Sequence, residues 1–393
     1  MTYPCKVHIR KGEARAFKSG GAWIYDNEVA SVEGPFENGD FVTVLDHDGW
    51  PLGNGFINIS SKLRVRMMTR DTEQMIDDAF LKKRLRDAWE YRKLMCDPDS
   101  CRLIYSESDF LPGLVVDKFG DILVMQSLSL GIERIKDMLC DILMEVVKPR
   151  GIWERSDVPV RRLEGLEQVT GLLRGEVPDR VDMVENGIHF LVDVKNGQKT
   201  GFFLDQKWNR AAMKPFCRDA KVLDCFCHNG SFSLHAAKFG AASVLGVDIS
   251  EEALEAAREN ARINGLDNVT FEARNCFDLL RELTDAGEQF DLVILDPPAF
   301  TKNKAAVQSA LRGYKEINLR GLRLVRPGGF LVTCSCSQHG LPEMFQDIVN
   351  QAARDAKKRI RLVEYRTQGY DHPILPQSVE TKYLKAMFLQ VME

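Results

Sequence analysis

The sequence predicts a multidomain chain: a small N-terminal β-barrel, an α+β middle segment, and a C-terminal α/β domain built on a parallel sheet with helices on both faces. Three observations predict it. Short apolar runs punctuated by Gly, Pro and Asn-Gly fill the first ~70 residues, as in small all-β folds. Helix and strand patterns then mix, and beyond residue 200 they alternate strictly. Boundaries at 1–72, 73–195 and 196–393 follow, and three domains suit a 393-residue chain when domains run to roughly 100–200 residues.

In the first segment, FVTVL (41–45) and the apolar run 52–59 flank Asp46-His47-Asp48-Gly49, a hairpin turn signal. Residues 76–95 then read as a helix, with Leu81, Leu85, Ala88 and Trp89 at three- and four-residue steps. LIYSE (103–107), LVVDKF (114–119) and ILVMQSLS (122–129) read as strands. Residues 132–147 read as one amphipathic helix, and 151–154 and 189–194 as further strands.

The C-terminal alternation runs through strands at 220–226, 243–248, 269–273, 291–296 and 328–336. Helices fall at 231–239, 250–264 and 309–325, with a short one after the third strand. In an open parallel sheet, ligands bind beyond the carboxyl ends of the strands, so the residues following each strand carry the chemistry.

Composition narrows the setting. No stretch approaches the ~20 apolar residues of a membrane span, and the charged N-terminus lacks the apolar core of a signal peptide. A cytoplasmic protein is expected, its ten cysteines kept as thiols. Cys225 and Cys227 precede His228, but C-x-C is not the C-x₂₋₄-C of structural zinc, and no metal is expected. The net charge of −4 does not announce a nucleic-acid binder, yet two local clusters are basic. One holds Lys6, Arg10, Lys11, Arg15 and Lys18; the other holds Lys302, Lys304, Arg312, Lys315 and Arg320. Such clusters are ordinarily solvated faces.

After the first C-terminal strand comes Asp224-Cys-Phe-Cys227-His-Asn229-Gly230-Ser231, where Gly230 lets the backbone approach a ligand. The spacing is neither GxGxxG nor a P-loop. Asp248 ends the second strand, ahead of a Ser250 N-cap, where a carboxylate can accept hydrogen bonds from a ribose diol. Asn275 and Cys276 follow the third strand and suit an adenine edge. Asp296-Pro297-Pro298 ends the fourth; the prolines fix the backbone and remove two donors.

These elements resemble the Rossmann-like class I S-adenosylmethionine methyltransferases, in which the end of strand four is the reaction centre. Adenine amino-methyltransferases place an aromatic directly after the proline pair to stack on a flipped base. Here that position is Ala299, with Phe300 next. The fifth strand ends in Thr333-Cys334-Ser335-Cys336-Ser337. Alternation places both cysteines on one face, so periodicity does not separate them, but Cys336 lies nearer the strand end. A thiolate there suits methylation of a pyrimidine ring carbon, which is not nucleophilic until sulfur adds at carbon 6.

The whole chain resembles the bacterial and archaeal PUA-domain-containing 23S rRNA cytosine-carbon-5 methyltransferases. The likeness is carried by VHIRKGEARAFKSGGAWIYDNEV (7–29), SESDFLPGLVVDKFGD (106–121), NGQKTGFFLDQKWNR (196–210), DPPAFTKNK (296–304) and TCSCS (333–337). It implies S-adenosylmethionine as cofactor, with residues from Phe203 to Gln206 packed against it, and Cys336 as the single nucleophile beside Asp296. It also implies a PUA domain that helps hold large-subunit ribosomal RNA; beside that implication stands an alternative use of the PUA face, the pairing of two copies in a homodimer. Two rivals stand beside this reading: an exocyclic-amine RNA methyltransferase needing no thiol, and a silent RNA-binding assembly factor.

Overall fold

The structure, a computed structural model, describes residues 3–300, 307–337 and 341–392. The chain divides into two compact units. The first holds Met1–Met183, Val192–Leu204 and Tyr370–Thr381; the second holds Val184–Leu191, Asp205–Gly369 and Lys382–Glu393.

The first unit opens with six strands: β1 (Lys6–Ile9), β2 (Trp23–Tyr25), β3 (Val29–Glu33), β4 (Phe41–Leu45), β5 (Pro51–Ile57) and β6 (Leu63–Thr69). They pair in the order β2-β6-β5-β4-β1-β3, with β1 parallel to β4. One-turn helix α1 (Arg15–Lys18) inserts Phe17 into a core of Val7, Ile9, Ile24, Val42, Val44 and Ile57. β5 and β6 run so close that a Cβ on Gly55 would meet the Arg66 carbonyl at 2.2 Å, so only glycine fits there.

Helix α2 (Asp78–Met95) starts where the Asp77 side chain accepts from the Phe80 N–H at 2.8 Å. It packs over a five-stranded sheet of β7 (Ser100–Tyr105), β8 (Leu114–Phe119), β9 (Ile122–Ser127), β10 (Gly151–Ser156) and β11 (Val169–Gly175). The single helix expected over 132–147 is two helices, α3 (Leu130–Arg134) and α4 (Lys136–Val146). Ile135 leaves helical geometry between them at φ −107° and ψ 10°. Lys136 then reaches Glu133 at 2.7 Å and the buried Glu154 at 3.0 Å, giving that carboxylate a cation.

Hairpin strands β12 (Val181–Glu185) and β13 (Ile188–Val192) lead into short helices α5 (Lys207–Ala212) and α6 (Lys214–Cys217). The second unit is built on β14 (Lys221–Cys225), β15 (Ser243–Asp248), β16 (Val269–Ala273), β17 (Phe290–Leu295), β18 (Val325–Ser335), β19 (Ile360–Arg366) and β20 (Lys385–Val391). Their order is β16-β15-β14-β17-β18-β20-β19, with β20 antiparallel to both neighbours. Helices α7 (Ser231–Lys238), α8 (Glu251–Ile263), α9 (Cys276–Asp285), α10 (Val307–Leu324) and α11 (Pro342–Asp355) connect them.

The alternation of side chains divides the strands' apolar residues between two cores. Leu223, Val293, Leu295 and Leu331 pack with α9, α10 and α11, while Val222, Leu292, Ile294 and Val332 pack with α6 and α7. The parallel order reverses between β14 and β17, where crossovers leave on opposite sides and open a crevice at the strand ends. Among the described residues no helix is long and apolar enough to cross a membrane.

Candidate active site

At the switch point, β14 and β17 lie in register, Cys225 opposite Leu295. The 226–230 loop and Asp296 therefore emerge side by side. The loop is tightly wound: Phe226 (φ 65°), His228 (φ 50°) and Gly230 (φ 73°) all occupy the left-handed region. Two non-glycine residues held there within three positions represent strain of order 1–3 kcal/mol each, of the kind that clusters at functional sites.

What holds the loop is specific. Cys276, buried at the start of α9, accepts from the Phe226 N–H at 3.3 Å. Cys227 is buried, its N–H given to the Val247 carbonyl at 3.0 Å. Gly230 turns the chain into α7 through a bond from its N–H to the Cys227 carbonyl at 2.8 Å. Asn229 is half-buried in this loop, and Ser231 opens the helix with its hydroxyl 3.5 Å from the Arg210 guanidinium.

Asp224 is fully buried beneath the loop, with Oδ2 accepting from Ser233 Oγ at 2.6 Å. Its Oδ1 is buried without a hydrogen-bond partner among the described residues. Burial, reinforced by Asp296 and Asp248, pushes its carboxyl up to about 8, so it is largely neutral at pH 7. It supports the loop from below and does not face the crevice as an anion.

Asp248 is half-exposed at the end of β15. Oδ2 accepts from the His228 N–H at 2.9 Å and Oδ1 from the Ser250 N–H at 3.0 Å, so its orientation is set. Each carboxylate oxygen has a second lone pair, which suits a vicinal diol. Next to it Ile249 is 75% exposed, an apolar side chain left uncovered at the mouth of the crevice. The sequence reading passed over Ile249; its place one residue after the acid was the available signal. Asn275 caps α9, its Oδ1 accepting from the Phe277 N–H at 2.9 Å. A fixed diol acceptor, an adjacent uncovered apolar face and a close-approach loop together fit S-adenosylmethionine.

Asp296 is half-exposed just past β17, and Pro297 behind it is buried. Gln206 Nε2 donates to Asp296 Oδ1 at 3.0 Å. Gln206 is buried, so its amide orients the Asp296 carboxyl. Phe203 belongs to the first unit, where the Lys199 ammonium sits 4.5 Å from its ring centroid.

The two cysteines that periodicity left together are separated by the end of the strand. Cys334 is fully buried opposite Ala386 and packs in the apolar core; burial and then the nearby Asp296 drive its thiol well up. Cys336 lies one residue beyond β18 and is half-exposed. Leu295 pairs with Thr333, which places Asp296 and the Cys336 turn at neighbouring strand ends. Phe300 turns inward, 4.6 Å from the Tyr314 ring and 5.8 Å from that of Phe277, while Ala299 is exposed. Lys302 and Lys304 of the second basic cluster lie outside the described residues.

The strand order, the strained loop and the Asp248 acceptor define the second unit as a class I S-adenosylmethionine-dependent methyltransferase domain. The family model for S-adenosylmethionine-dependent methyltransferases matches residues 162–389, and that for PUA-like domains residues 7–70. The chain is 40% identical to "Ribosomal RNA large subunit methyltransferase I" of Alteromonas mediterranea, over 98% of each protein. It is 42% identical to the protein of that name from Shewanella denitrificans, over 98% of this chain and 99% of that one. The chain belongs to this family of PUA-containing, S-adenosylmethionine-dependent methyltransferases. Among solved structures, SMU.776, crystallised with SAH, matches with a TM-score of 0.84 at 20% identity over 98% of this chain and 100% of that one. At that identity the likeness bears on the fold.

Proposed function

We propose that the chain methylates carbon 5 of a cytosine in large-subunit (23S) ribosomal RNA through a covalent adduct with Cys336. The observation that carries this reading is the separation of the two cysteines. Cys334 is sealed in the core, while Cys336 stands half-exposed past the strand end, neighbouring Asp296. The relatives' names support ribosomal RNA as the substrate class.

In this reading the Cys336 thiolate adds to carbon 6 of the ring, and the C5–C6 π electrons move toward carbon 5 and nitrogen 3. Asp296, oriented by Gln206 and entering as the neutral acid, donates its proton to nitrogen 3 and offsets the charge that develops there. Asp248 and the 226–230 loop would hold S-adenosylmethionine, which would supply an electrophilic methyl group. Carbon 5 takes the methyl, leaving S-adenosylhomocysteine. The carbon 5 proton passes to water, the freed electrons break the C6–S bond to return the thiolate, and the nitrogen 3 proton goes back to Asp296. Exposed Arg10, Lys11, Arg15 and Lys18 and half-buried Lys6 offer phosphate contacts that position RNA without reading sequence.

The inward turn of Phe300 weighs against the exocyclic-amine alternative, because that ring is committed to an aromatic cluster and not presented to a base. The test is Cys336→Ala in a single-turnover assay, together with RNA carrying 5-fluorocytidine. Loss of transfer, and a wild-type adduct that the variant does not form, is the expected result. Full activity of the variant excludes the covalent route. No labelled methyl transferred to extracted rRNA at saturating cofactor favours a silent binder.

A further inference from the structure

The turn that carries Cys336 is gripped from two sides. Lys385 sits on β20 directly opposite Ser335 of β18 and is 3% exposed. Its Nζ donates to the Ser337 carbonyl at 2.6 Å. From the other side, the Tyr314 hydroxyl of α10 lies 3.0 Å from Ser337 Oγ. A buried lysine thus anchors the residue immediately after Cys336.

Burying an ammonium costs several kcal/mol unless a negative charge compensates. Burial lowers the Lys385 ammonium to about 8, and the charge acting to restore it is that of Cys336. The coupling is mutual: what an ionised sulfur does for the ammonium, the ammonium does for the sulfur. Among the described residues, the other titratable groups facing this end of β18 are Asp296 past β17, Asp205 ahead of α5, Cys334 on β18 itself, and Tyr314. A negative charge on either carboxyl would oppose a thiolate. Cys334 and Tyr314 are both pushed up by burial and stay neutral near pH 7.

We infer that Lys385 is a positioning residue for the nucleophile: its ammonium keeps the Cys336 sulfur ionised near neutral pH, and its bond to Ser337 aims that sulfur. The inference rests on the reading of Cys336 as nucleophile. No bond to Lys385 forms or breaks; the thiol proton goes to solvent, and the lysine stays an ammonium while sulfur adds to carbon 6.

Iodoacetamide alkylation of Cys336 in the full chain, read by peptide mass mapping across pH without RNA, tests it. Wild type is expected to reach half-maximal rate below the ~8.5 of a free thiol. Lys385→Met is expected to move that midpoint up by about one unit and slow alkylation about tenfold at pH 7. Lys385→Arg should keep most of the wild-type profile. A wild-type midpoint at or above ~8.5, or a Lys385→Met profile that overlays wild type, overturns the inference. Should Lys385→Met not fold, the wild-type midpoint alone still decides. If the profile shifts as expected while Cys336→Ala retains full methyl transfer, the nucleophile reading fails and the electrostatic relationship between Lys385 and Cys336 stands.

Discussion

Gln206 Nε2 donates to Asp296 Oδ1 at 3.0 Å, tying the segment ahead of α5 to the end of β17 across 90 residues of sequence. The other end of the same amide accepts from Asn209 Nδ2 at 2.6 Å, and Asn209 Oδ1 in turn accepts from Arg366 Nε at 3.0 Å. The relay fixes which way the Gln206 amide faces, and so which way the Asp296 carboxyl points. A hydrogen bond to a charged group contributes about 1.5–3 kcal/mol. Gln206→Leu is therefore expected to cut the methyl-transfer rate roughly 10- to 100-fold. Cofactor affinity, measured by calorimetry, should change less than about threefold. A collapse of cofactor binding with turnover preserved would instead make Gln206 a cofactor contact.

Cys334 and Cys336 should respond oppositely to substitution. Cys334→Ala trims a small buried side chain in a packed core and should cost about 1 kcal/mol of stability. Its methyl transfer should remain near wild type. Cys336→Ala should leave the melting temperature within a degree or two and remove transfer. Thermal melts and single-turnover assays on the pair check this, and a silent but stable Cys334→Ala would reverse the assignment.

The core strands of the second unit were legible because each is a short apolar run followed at once by a polar residue. Asp248 and Asp296 stood out by that position alone. The left-handed Phe226 and His228 were not legible, since phenylalanine does not signal positive φ and histidine, though enriched there, adopts it in only a minority of positions. Nor was Lys385. The strand series read from the sequence stopped at 336, whereas the chain makes α11 and β19 before β20 returns to pair with β18. The Lys385–Ser337 and Gln206–Asp296 bonds join segments 48 and 90 residues apart, and local periodicity carries no information at such separations. The break at Ile135 was hidden for a different reason: the apolar spacing continues through it, and only the backbone departs from the helix.

A buried ion pair underlies the 226–230 loop and the start of α7. Arg210 and Glu185 are both essentially unexposed, bonded at 2.5 and 2.8 Å. Arg210 also lies 3.5 Å from Ser231 Oγ, while His235 Nδ1 lies 2.7 Å from the Ser231 carbonyl. Removing one partner strands the other charge in a low-dielectric interior, which costs about 3–5 kcal/mol. Glu185→Ala should therefore lower the urea midpoint sharply, whereas replacing both residues, as in Glu185→Leu with Arg210→Met, should recover part of the loss. A single variant as stable as wild type would refute a structural role for the pair.

Stability in the second unit should depend on pH through two buried groups acting in opposite directions. His235 is held down to about 3, first by burial and then by Arg210, against 6.5 when unfolded. Its contribution is complete above 6.5 and is lost as pH falls toward 3, because only the unfolded state takes the proton. Asp224 is raised to about 8 against 3.8 when unfolded. Its contribution is complete below 3.8 and is lost as pH rises through 8, because only the unfolded state gives up the proton. Between 3.8 and 6.5 the two slopes, each at most about 1.4 kcal/mol per pH unit, largely cancel. From 6.5 to 8 the Asp224 slope acts without its counterweight, a loss of up to about 2 kcal/mol. Asp224→Asn keeps an acceptor for Ser233 Oγ but has no proton to lose, so it should flatten that window. Urea unfolding of the cofactor-free protein at pH 6.5 and 8 provides the comparison. The same slope in Asp224→Asn as in wild type would show that Asp224 is ionised in the folded protein, and its placement as a neutral acid beneath the loop would be wrong.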